Sequence, residues 1–113
     1  MRVFAALVLF IAVVSSSPSL ASTGWTFCVG ESNGGKDIWM TSVFSATRER
    51  ERLEIDFRSY LKGRGVSGAI VQCPAPRDDK TAMVNAQFTA AEFHRKLGDA
   101  LHEVDAPEFS PRR

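Results

Sequence analysis

The two imidazoles of the chain, His94 and His102, stand eight residues apart. On one continuous helix that spacing puts them on roughly the same side, two turns and about 12 Å from each other. A shared metal ion needs ligand atoms near 2 Å, so a helical pair could not hold one. A break at Gly98 would reopen the geometry, with Asp99, Glu103 and Asp105 nearby. Two surface histidines remain the simpler reading, and no metal site is expected. As a general base, either ring would need a nucleophile within hydrogen-bond reach and a third group to orient it. Ser32, Ser42, Ser45, Ser59 and Ser67 are present, but none sits in a G-x-S-x-G context.

Carboxylate pairs for glycoside cleavage could be drawn from Glu31, Asp37, Glu54 or Asp56. A chain with 13 acidic residues always offers such pairs, so they carry little information. Gly30, Gly34 and Gly35 lie in a hairpin, without the following helix and lysine-serine pair of a phosphate loop. Gly63, Gly65 and Gly68 follow a helix and precede a strand, the reverse of the dinucleotide arrangement. No catalytic residue is assigned, and no cofactor is expected.

Tryptophan offers a different chemistry, since it packs sugars and peptides and concentrates at binding hot spots. Trp25 and Trp39 could face each other across a hairpin, near Phe27 and Phe44. Ile38, Met40 and Phe44 supply one face of the second strand. Trp39, Thr41 and Val43 therefore point the other way, and these three are the candidate contact residues.

The compartment comes from the first 21 residues. Met1-Arg2 is a short positive start, Val3 to Val14 carries no polar side chain, and Ser19-Leu20-Ala21 ends on small residues at the cleavage positions. That is the layout of a secretory signal peptide. The apolar run of 12 residues falls short of the roughly 20 needed to span a bilayer. Residues 1–21 are thus read as a signal, 22–105 as one domain and 106–113 as a frayed tail. The chain is expected in a periplasm or outside the cell, without stable membrane insertion after cleavage.

Removal of the signal takes Arg2 with it, so 13 basic residues balance 13 acidic ones. A nucleic-acid partner would call for a basic excess and is not expected. Cys28 and Cys73 both survive cleavage, and in an oxidising compartment they read as a disulfide. Closing a loop of about 45 residues restricts the unfolded chain by on the order of 4 kcal/mol.

The elements that must position these groups follow from periodicity. Trp25, Phe27 and Val29 alternate with Thr26 and Cys28, a strand pattern. Asn33-Gly34-Gly35 reverses the chain, and Asp37 to Ser45 alternates again, completing a hairpin. Leu53, Phe57, Tyr60 and Leu61 then fall at helical spacing, with Ser45 or Thr47 as N-cap and Gly63-Arg64-Gly65 as the stop. The interleaved charges from Arg48 to Arg52 read as a solvated helix face, with Arg50–Glu54 and Glu54–Arg58 as i,i+4 pairs.

Ala69 to Cys73 reads as a strand ended by Pro74-Ala75-Pro76. The disulfide would place it next to, or close to, the first strand. Asp78 or Asp79 caps a second helix whose seam is Met83, Ala86, Ala90, Phe93 and Leu97, stopped by Gly98-Asp99. Ala100 to Val104 reads as a final strand, with continuation of the helix as the alternative. The order ββαβα with a possible last β argues for an α+β domain. Its small antiparallel or mixed sheet would carry both helices on one face.

The function expected from these features is that of a small exported, disulfide-stabilised binding module without catalytic activity. Its partner would be another protein or a cell-envelope component, and a cell-envelope accessory or an inhibitor or immunity-type protein would fit. The alternative is a small secreted hydrolase or toxin using His94 or His102 as general base.

Overall fold

Alternation from Trp25 onward builds the centre of the molecule. The computed structural model describes residues 24–106; the expected signal segment and the tail from residue 107 lie outside them. Strand β1 (Trp25–Thr26) is followed by β2 (Val29–Ser32), a 3-10 turn over Asn33–Gly35, and β3 (Asp37–Thr41). The turn needs positive φ at Asn33, Gly34 and Gly35, which the Asn-Gly-Gly sequence supplies. β4 (Phe44–Ser45), α1 (Arg50–Gly63), β5 (Ile70–Gln72), α2 (Lys80–Leu97) and β6 (Ala100–Val104) complete the chain. The last of these is the expected final strand. β1 and β4 pair as a short antiparallel ribbon, and the main sheet runs β5-β2-β3-β6. Within it β6 is parallel to β3, while the other pairs are antiparallel. The domain is α+β with a small mixed sheet.

The expected first strand is broken into β1 and β2, and the long second strand into β3 and β4. Met40 pairs with Val29 and Phe44 with Thr26. Phe27 and Cys28 on one side of the break therefore oppose Thr41, Ser42 and Val43 on the other. One extra residue of this kind is the logic of a β-bulge, and it inverts the parity of everything that follows. Phe44 packs with the cluster that Trp39 borders, whereas Val43 joins the cluster of Ile38 and Met40. Trp39, Thr41 and Val43 consequently do not share one face.

Cys28 and Cys73 form the expected disulfide, with Cα atoms 4.2 Å apart. They stand one step beyond the Val29–Gln72 pair, so the bond continues the β2–β5 ladder. The strand after α1 is the direct neighbour of β2.

The two helices lie on opposite faces of the sheet, which corrects the expectation that they share one. On one face Leu53, Phe57 and Leu61 of α1 pack with Val71, Cys28, Cys73 and Val104. Gly30 makes this approach possible: a Cβ there would sit 2.8 Å from Leu61 Cδ1 and 3.6 Å from Phe57 Cε2. On the other face Met83 and Ala91 of α2 pack with Phe27, Ile38 and Met40, bordered by Leu101. Strand alternation sends Gly30, Trp39 and Val71 to the first face and Val29, Ile38 and Met40 to the second.

The seam of α2 is rotated relative to the periodicity. Met83, Gln87, Ala90, Ala91 and His94 turn inward to differing degrees, while Ala86, Phe93 and Leu97 are exposed. α2 begins as expected, with Asp79 accepting from the Ala82 N–H at 3.1 Å, and ends at Gly98 with φ of 86°. α1 begins later than expected. Glu49 is its N-cap without a side-chain cap bond, in place of the expected Ser45, which is paired in β4, or Thr47, which lies before the helix. Its charge pairs also differ, since Asp56 collects Arg48 and, at 3.5 Å, Arg52. Glu54 instead accepts the Cys73 N–H at 2.9 Å. At the C-terminal end Ala106 is buried and donates its N–H to Ser42 Oγ at 3.1 Å, so packing extends through it.

Phe57 is fully buried at the centre of the α1 cluster. Phe57→Ala should lower unfolding free energy by about 3–5 kcal/mol in a urea titration of the oxidised protein.

Candidate functional site

Three strands bring one aromatic group and its polar neighbours together at one end of the sheet. β3 places Asp37 and Trp39 two residues apart, hence on the same face. β6, running parallel, sets His102 directly beside Trp39 and Ala100 beside Asp37. The 33–35 turn returns the chain so that Ser32 pairs with Asp37. The Trp39 and His102 rings stack with centroids 4.1 Å apart and planes 17° apart. The Trp39 Nε1–H donates to Ser32 Oγ at 3.3 Å. His102 Nε2 lies 3.0 Å from Asp37 Oδ1, and Asn33 Nδ2 donates to Asp37 Oδ2 at 3.2 Å. Asp37 thus anchors both the imidazole and the turn.

The His102 hydrogen bond, followed by that of Asn33, holds the Asp37 carboxyl below its ordinary 3.8, against a smaller opposing effect of desolvation. The pair is partly open to water, with side chains 39% and 30% exposed. Trp39 is half-buried and borders the α1 cluster. A large aromatic is therefore held rigidly at a water boundary by three separate contacts.

The other expected contact residues sit elsewhere. Thr41 is fully buried, and its Oγ1 accepts the Cys28 N–H at 2.9 Å while its own N–H donates to the Cys28 carbonyl at 3.0 Å. That side chain bridges the ladder where the strands break, which makes it structural. Val43 is half-buried on the α2 side. Trp25 borders the α2 cluster, with the Lys80 ammonium 4.6 Å above its ring, so the two tryptophans occupy opposite faces.

The two histidines are likewise divided between the faces. His94 Nδ1 lies 2.9 Å from Asp99 Oδ2, both side chains largely buried against the end of α2. Among the described residues, no cluster of three or more His, Cys, Asp or Glu is arranged to hold a metal ion. Of the acidic candidates, Glu31 and Glu54 line a cleft of about 540 Å³ with His94, away from Asp37.

The stacked pair was not legible from spacing. His102 carries no local signal, because its neighbour is chosen by the parallel β3–β6 register, set across more than sixty residues of chain.

A carboxyl whose folded value is depressed contributes stability above its unfolded value and loses that contribution as pH falls through the folded one. The Asp37 contribution is therefore present above pH 3.8 and disappears at lower pH. In a Trp25→Phe background, Trp39 emission should change during acid titration below that pH. Asp37→Asn should remove that step while leaving the emission at neutral pH close to that of the parent.

No family model, characterised protein or solved structure matches this chain in comparisons with known proteins.

Proposed function

We propose that this protein is a small exported interaction module, stapled by one disulfide, that meets its partner through Trp39 and the His102 ring stacked on it. The reading is supported above all by the fixed, half-buried Trp39. Its ring has one edge tied to Ser32 and one face covered by an imidazole that Asp37 orients. An aromatic immobilised before binding loses little further entropy on contact, which is how tryptophan anchors gain affinity. The partner is another protein or a component of the cell envelope. The Cys28–Cys73 bond fits an oxidising compartment. No helix among the described residues is long and apolar enough to cross a membrane.

The oriented Asp37–His102 pair also favours a second reading, in which His102 serves as a general base in a small hydrolase. The Ser32 hydroxyl at this site already accepts the Trp39 indole N–H.

Affinity capture from the extract of the expressing cell's envelope separates these readings. The immobilised wild type should retain a species that Trp39→Ala loses and that Phe93→Ser, altered on the opposite face, still retains. His102→Ala should weaken that capture by removing the stacking partner. Retention unaffected by Trp39→Ala would contradict the module reading. Hydrolytic activity of the wild type that His102→Ala abolishes would favour the second.

A further inference from the structure

The opposite face of the sheet carries an apolar surface that neither the core nor the Trp39 site explains. α2 covers β3 and β6 there, through Met83 and Ala91 against Ile38, Met40 and Leu101, and leaves β5 bare. Ile70 of β5 is 65% exposed and stands beside Glu31 on this face. On α2, Phe93 and Leu97 are 57% and 60% exposed. They lie three residues beyond Ala90 and His94 respectively, the two α2 residues that line the 540 Å³ cleft. Arg95, on the other flank of α2, reaches Glu103 of β6 at 3.5 Å. Helical geometry therefore turns Phe93 and Leu97 toward the β5 side. The cleft beside that ridge is apolar at Phe27 and Val29, and Glu31, with Arg50 and Glu54 from α1, supplies its charged lining.

A ridge and a groove thus lie side by side on one patch, which is the condition for an isologous contact, where the ridge of each copy enters the groove of the other. The charges agree. Lys96 is exposed and adjoins Phe93 at i+3 on the outer rim of the ridge, while Glu31 is exposed on the rim of the groove. Once the signal is gone, basic and acidic residues balance, so two copies do not repel each other through net charge. We propose that a second copy of this chain seats on this face, the Phe93–Leu97 ridge of each entering the groove beside Ile70 of the other. Lys96 of each would meet Glu31 of its partner. Such a dimer leaves both Trp39 sites facing outward, and it stands or falls independently of what those sites bind.

Sedimentation equilibrium over a range of concentrations, on the processed and oxidised chain as recovered from the expressing cell, tests the proposal. The wild type should pass from monomer to dimer. Leu97→Asp, an exposed position whose fold can be checked by circular dichroism, should raise the midpoint concentration about tenfold or more. Glu31→Lys and Lys96→Glu should each weaken the dimer, and their combination should restore it. A monomer at every concentration would overturn the proposal and leave the groove to a different protein or an apolar ligand. A dimer indifferent to Leu97→Asp, or charge reversals that fail to compensate, would overturn it equally.

Discussion

One helix cannot cover a four-stranded sheet. The outer strands of such a sheet lie about 14 Å apart between their axes, and a helix with its side chains is roughly 10–12 Å across. Here each face receives a single helix, and the two are placed diagonally. α1 lies mainly over β5 and β2 on one face, through Val71 and Gly30, and its cluster reaches β6 at Val104 and is bordered by Trp39. α2 lies over β3 and β6 on the other, through Ile38 and Leu101. Two quadrants are left without a helix. One holds Trp39 and His102, and the other holds Ile70, next to the cleft that residues of both helices line. Both surfaces with functional interest follow from that single constraint.

The disulfide fixes which strands occupy the α1 half. By extending the β2–β5 ladder it brings β5 in as an antiparallel edge. Glu54 then accepts the Cys73 N–H, tying the first half of α1 to the same point. Gly30 lets Leu61 and Phe57 come down onto the strands at that place. On the other half, the one-residue bulge between Thr41 and Phe44 decides which side chains face which helix. Thr41 fills the resulting gap in the ladder with its own hydroxyl. A residue read as a contact group from alternation is thereby spent on holding two strands together.

Much of this was legible in the sequence, and the remainder was hidden for identifiable reasons. The Asn-Gly-Gly turn, the glycine stops at Gly65 and Gly98, the Asp79 cap and the Cys28–Cys73 bond are set by local chemistry, and each stands as the spacing predicts. The parity error at Val43 arose because a bulge adds a residue without leaving a turn signal. The rotated seam of α2 arose because its apolar residues span more of the helix than one sheet contact can bury. Periodicity chose Phe93 and Leu97, whereas packing chose Ala91 and Gln87. Placement of the helices on opposite faces, and the stacking of His102 on Trp39, depend on long-range register alone.

Hydroxyl-radical footprinting of the oxidised protein in dilute solution tests the diagonal arrangement most directly, because it reads both faces at once. One helix per face predicts rapid labelling of Trp39 and Ile70, in the uncovered quadrants. Phe57 and Met83, beneath α1 and α2, should resist. Resistance of Trp39 and Ile70 equal to that of Phe57 would contradict the account, since both quadrants would then be covered by the chain itself.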